Sequence, residues 1–137
     1  MRAGVVTNSQ LVAEIHRAAL LACSLVYWPD GLDRNRARVF VHSFLADHTQ
    51  YVEDLDLQVI KLPRAFVLDG VGDCKSSAVF ACAFLSAAGY SVALRFIRQA
   101  SRPWLSHVYA VADGVAVDPL LPLGVEAART SFIDLWL

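Results

Sequence analysis

The stretch Gly70-Val71-Gly72-Asp73-Cys74-Lys75-Ser76-Ser77, running without a break into the apolar segment Ala78 to Gly89, decides how the rest of the chain is read. Glycine tolerates turn dihedrals, and an aspartate side chain accepts from the free N–H groups of a first helical turn, so these residues spell a tight turn and a helix N-cap. Beyond it Ala78, Cys82, Leu85 and Ala88 follow helical spacing, Val79 and Phe80 widen the stripe, and Gly89 supplies a stop. The expectation is a helix buried on most sides whose first residue is a cysteine. Unsatisfied N–H groups and the positive end of the helix dipole favour an anion there, which biases the thiol toward thiolate, the form that attacks carbonyl carbon.

Downstream the apolar period shortens to two. Tyr90 to Ile97 alternates for part of its length, Gln99 to Pro103 reads as loop, and Leu105 to Ala112 reads as a second strand. Asp113-Gly114 between apolar runs is a hairpin signal, leading into a third strand at Val115 to Val117. His107 lies six to seven residues before that turn and Asp118 four to five after it, so antiparallel pairing makes them near neighbours. Acyl transfer through a thioester asks for a nucleophile, a base within hydrogen-bond reach and a group that orients the base. Cys74, His107 and Asp118 supply those three residue types in separate blocks. An oxyanion hole is expected from the backbone N–H of Cys74 and one further donor, for which the amide of Gln58 is chemically suitable. Trp104 and Tyr109 are candidates to line a substrate groove.

Upstream of the glycine turn the pattern is helical. From Ser9 to Trp28 the apolar positions Leu11, Val12, Ile15, Ala18, Ala19, Ala22, Leu25 and Val26 make one buried stripe, stopped by Pro29-Asp30-Gly31. His16 and Cys23 within it read as a rim histidine and a small core thiol. A second helix is expected from Asp33 to Thr49, with Val39, Phe40, Phe44 and Leu45 on one side and Arg34, Arg36 and Arg38 as a solvated face near its start. Gln50 to Leu62 reads as a solvated connection or a further short helix, and Pro63 to Asp69 as loop or a short helical turn. Pro119 to Leu123 is loop, and Val125 to Leu137 a short terminal helix or an extended tail. Helices first, then a cysteine helix, then a small antiparallel sheet is the order of an α+β domain.

With 137 residues, 56% of them hydrophobic, the chain fits one domain with a core large enough to fold alone. Twelve basic and thirteen acidic residues leave a net charge of -1, which argues against nucleic acid as a partner. No signal peptide or membrane span is read, since the longest apolar run is about half of the roughly 20 residues a spanning helix needs. Cys74 and Cys82 would sit about 12 Å apart along one helix, too far for a disulfide, so a reducing compartment such as the cytoplasm is the simpler expectation. No metal is expected. His42 and His48 are six apart and share no helical face, and Glu53, Asp54 and Asp56 lack the glycine turn and closing glutamate of a calcium loop.

Gly72-Asp73-Cys74 ahead of an apolar helix, then a His107-Val108-Tyr109 strand, then Val117-Asp118-Pro119 after a turn, resembles the transglutaminase-like superfamily of papain-fold cysteine enzymes. The similarity is closest to the short bacterial and bacteriophage-borne members, and it covers about Gln58 to Pro119. It implies a single domain over residues 1–137, with a helical part at 1–57, a catalytic core at 58–119 and a tail at 120–137. It also implies Cys74 as nucleophile, His107 as base and later acid, Asp118 as orienting carboxylate, and a three-stranded or slightly larger sheet packed on the cysteine helix. Many members carry Trp or Asp after the nucleophile where this chain has Lys75, and an aromatic and acidic pair after the histidine where it has Val108, Tyr109 and Ala110. Calcium sites and extra domains of the animal transglutaminases have no room here.

The expected activity is therefore that of a peptidase or amidase cleaving a peptide or isopeptide bond in a peptide or protein substrate, without a cofactor, rather than cross-linking. Lys75 is expected to add to the thiolate bias if its ammonium lies within about 4–6 Å of the sulfur. The alternative is a bacteriophage virion or tail-associated assembly protein that uses the same fold without turnover. Self-association or a protein partner would suit its high apolar fraction.

Overall fold

The computed structural model describes residues 9–53, 59–100, 102 and 105–137. Among the described residues, four helices and a four-stranded antiparallel sheet make up a mixed α+β arrangement. In chain order these are α1 (Ser9–Cys23), a 3-10 turn (Arg34–Arg36), α2 (Ala37–His48), β1 (Gln50–Tyr51), α3 (Pro63–Asp69), β2 (Val71–Gly72), α4 (Cys74–Ala87), β3 (Val92–Arg98), β4 (Leu105–Ala112), β5 (Val115–Val117) and β6 (Ser131–Trp136).

The cysteine helix α4 is the centre. Asp73 caps it, its Oδ1 accepting from the Lys75 N–H at 3.0 Å. Gly89, at φ +99°, lets the chain turn back so that the Tyr90 N–H reaches the Leu85 carbonyl at 3.1 Å. Residues Cys74 to Ala83 are buried without interruption, because α1 and α2 cover one side of the helix and the sheet covers the other. Leu11, Val12, Ile15, Ala19 and Ala22 of α1 pack here, as do Val41 and Leu45 of α2, and each fully buried Leu, Ile or Val contributes about 1.5–3 kcal/mol.

The sheet runs β5-β4-β3-β6, and every neighbouring pair is antiparallel. Ala112 pairs Val115 across Asp113-Gly114, whose φ angles of +47° and +80° are those of the tight turn the Asp-Gly pair announces. Val108, Ala110 and Ala112 of β4 join the core beneath α4, while Tyr109 and Val111 pack with Ile97 and Ala116 on the opposite face. One irregularity breaks the β3–β4 ladder: Ile97 faces His107 but Arg98 faces Leu105, leaving Ser106 unpaired in a bulge.

Several local expectations change. Helix α1 stops at Cys23, five residues short of Trp28, because Ser24 and Leu25 close a tighter turn onto Leu21 and Ala22, and the residue before Pro29 is steered away from helix. Residues Gln50 and Tyr51 form neither a plain connection nor a helix. They pair in parallel with Val71 and Gly72, the Gln50 and Val52 N–H groups donating to Gly70 and Gly72 at 2.8 Å. Pro63 to Asp69 is a genuine helix, with proline at its first position and Gly70 at φ +71° closing it. In the C-terminal segment, read as a short helix or an extended tail, Ser131–Trp136 is extended and joins the sheet beside β3. Arg95 of β3 holds β6 through a two-pronged bond to Asp134, at 2.8 Å on each oxygen. The arginines near α2 are more than a solvated face, since Arg34 and Arg38 donate to the Ala87 and Ala112 carbonyls at 2.9 and 3.1 Å. Among the described residues no helix is long and apolar enough to cross a membrane.

Candidate active site

Cys74 owes its place to the cap. Asp73 ends the β2 turn and starts α4, so Cys74 is the first helical residue, with its amide at the end of the helix where backbone donors lack intrahelical partners. Gly72 leaves little space for a side chain in this turn. A Cβ there would lie 2.7 Å from one ring carbon of Phe66 and 3.1 Å from the Ser76 Cβ.

His107 stands one residue past the Ser106 bulge, and such bulges increase twist and re-aim the side chains beside them. Asp118 follows the last residue of β5, and its carboxylate is fixed by the Leu120 N–H, which donates to Oδ1 at 3.1 Å. The loop behind it is held by His42, whose Nε2–H donates to the Leu121 carbonyl at 2.6 Å. The His107 Nε2–H then donates to Asp118 Oδ2 at 2.7 Å, with both side chains buried. With Nε2 engaged, Nδ1 is left for the second polar neighbour of the ring, the Cys74 thiol. Burial alone would push the imidazole down, but the bonds to Asp118 and Cys74 and the charges on both outweigh it and raise His107 to about 10.

Burial pushes Cys82 well up, and burial likewise raises Cys23, against a smaller opposing bond from Ser86. Lys75 is 0% exposed, and its ammonium is bound to the Asp73 carboxylate within the cap.

A cavity of about 280 Å3 opens over the imidazole and Asp118, lined also by Tyr51, Gln99, Ser106 and Leu120. Cys74 is 2% exposed and is not among the residues that line this cavity. Tyr109, expected in a substrate groove, is instead 1% exposed. Its hydroxyl donates to Glu126 and its ring lies beside that of His107 at 5.7 Å, on the same face of β4, where Ile97, Val111 and Ala116 close it into a small core. Gln58 and Trp104 lie outside the described residues.

The residue that sequence reading missed is Tyr51. The β1–β2 ladder sets it opposite Gly72, two positions before Cys74, and its phenolic oxygen accepts from the Cys74 backbone N–H. Nothing in the spacing of Gln50 to Leu62 signals this, because a two-residue parallel strand has no period and its partner lies 21 residues away. Among the described residues no three of the His, Cys, Asp and Glu side chains converge to hold a metal ion. Neither the comparison with protein-family models nor that with curated proteins finds a match for this chain.

Proposed function

We propose that this chain is a cysteine-dependent acyl-transfer enzyme of transglutaminase-like, papain-type architecture, working as a peptidase or amidase. The observation that carries the reading is the buried His107–Asp118 pair, bonded at 2.7 Å, with the Cys74 thiol as the second polar neighbour of the imidazole. His107 takes the thiol proton at Nδ1 while Asp118 holds Nε2–H and thereby the orientation of the ring. The thiolate attacks a peptide-type carbonyl carbon and forms a tetrahedral oxyanion. Collapse expels the amine, which takes the proton from His107, and leaves a thioester on Cys74. Water, deprotonated by the same imidazole, adds to the thioester, releasing the acid and restoring the thiol. Hydrolysis is favoured over cross-linking because the chain lacks the residues that flank nucleophile and histidine in many relatives of that family.

The test is the pH dependence of iodoacetamide alkylation at each cysteine, read by mass spectrometry. An ordinary thiol of pKa about 8.5 is only about 0.3% ionised at pH 6. A stabilised thiolate is a weaker nucleophile, which offsets part of the gain, so at pH 6 the wild type is expected to react about 10-fold or more faster than His107→Ala. Equal rates in the two proteins, or a Cys74 as inert as Cys82, would sink the proposal.

A further inference from the structure

We propose that Tyr51 is the second donor of the oxyanion hole, its phenolic O–H acting together with the Cys74 backbone N–H. This rests on the acyl-transfer reading above. When a thiolate attacks a carbonyl, the oxygen that gains charge develops within reach of the nucleophile's own amide, and preorganised donors at that point lower the barrier most. In this structure the amide is already given to an oxygen, that of Tyr51. The phenol oxygen thus marks where an oxyanion would sit, in a side chain that also lines the cavity above His107 and Asp118.

The backbone arrangement allows the exchange. Tyr51 is anchored by its pairing with Gly72, and its half-buried ring packs against the core on one side and lines the cavity on the other, so a turn of the side chain toward the cavity frees the Cys74 N–H without moving the strand. The incoming carbonyl oxygen takes that N–H, and the displaced hydroxyl turns to donate to it from the cavity side. A donor must keep its proton to serve. Burial, followed by the charges of Cys74, Asp73 and Glu53, holds the Tyr51 hydroxyl above the ordinary tyrosine range, so it remains neutral throughout the working pH range.

Two probes separate this role from a structural one. p-Nitrophenyl acetate is attacked at carbonyl carbon and passes through an oxyanion, releasing p-nitrophenolate and leaving an acetyl thioester that water converts to acetate. Iodoacetamide is attacked at saturated carbon, releasing iodide with no oxyanion. In Tyr51→Phe the acylation rate is expected to fall about 10²-fold, with alkylation of Cys74 unchanged. Tyr51→Gln, which restores an N–H donor, is expected to recover part of the loss, and circular dichroism checks that both variants fold. Acylation that is unchanged or faster in Tyr51→Phe overturns the role, as does a parallel fall of both rates, which would mean that Tyr51 acts on the thiolate. A wild type that is alkylated at Cys74 but never acylated also overturns it. Failure of Cys74 to alkylate selectively would instead overturn the acyl-transfer reading beneath it.

Discussion

Replacing Lys75 by methionine leaves the Asp73 carboxylate without its ammonium in a place where both side chains are at most 1% exposed. Removing one partner of a buried ion pair costs about 3–5 kcal/mol, because the remaining charge keeps its desolvation penalty without the attraction that offset it. Asp73 retains one bond, from the Lys75 backbone N–H at 3.0 Å, which any residue at that position can make. The low end, about 3 kcal/mol, is therefore expected, out of about 7–20 kcal/mol for a chain of 137 residues. At a slope of about 2 kcal/mol per molar urea, the unfolding midpoint followed by circular dichroism should drop by about 1.5 M. The double variant Asp73→Asn, Lys75→Met removes both charges, keeps an oxygen to cap α4 and fills the space with apolar atoms, and should stay within about 1 kcal/mol of the wild type. A single variant as stable as the wild type would refute this account of the pair, and so would a double variant that falls as far as the single one.

Gly72→Ala forces a Cβ against the Phe66 ring and should destabilise by about 1–3 kcal/mol in the same urea assay; a neutral result would mean that the turn gives way more easily than its contacts imply. His107 also bears on stability. Its folded value of about 10 lies above the ordinary 6.5, so its contribution is complete below about pH 6.5 and is lost as the pH rises through about 10. The difference in thermal midpoint between wild type and His107→Gln should accordingly shrink between those limits, and one that widens has the sign wrong. Arg95→Leu removes the two-pronged bond to Asp134 and the further bond to Glu126 at 3.0 Å, costing roughly 1–2 kcal/mol. Amide exchange should then accelerate in β6 more than in β4, and uniform acceleration would show that β6 is held by something else.

Much of the site was legible because its parts are announced by local chemistry. Asp73 before Cys74 is a cap whatever the fold, the helix after it has an apolar period, and Asp113-Gly114 sets a two-residue turn that brings His107 and Asp118 to neighbouring strands. Each of these depends on residues a few positions apart, and backbone sterics and hydrogen bonding act over that range. The α+β order of elements follows from the same periods.

What only the tertiary structure decided are the encounters between distant segments. Tyr51 reaches Cys74 through a ladder of two residues, too short to have a period. Strand β6 is recruited by Arg95, 39 positions from Asp134, so the C-terminal stretch read alone had no reason to be a strand. Lys75 stands beside the thiol in sequence, but burial pairs it with Asp73, and Tyr109 looked like a groove residue until Ile97, Val111 and Ala116 closed around it. Composition and spacing say which groups are present, but desolvation and long-range pairing decide which of them face each other, and those are properties of the packed chain alone.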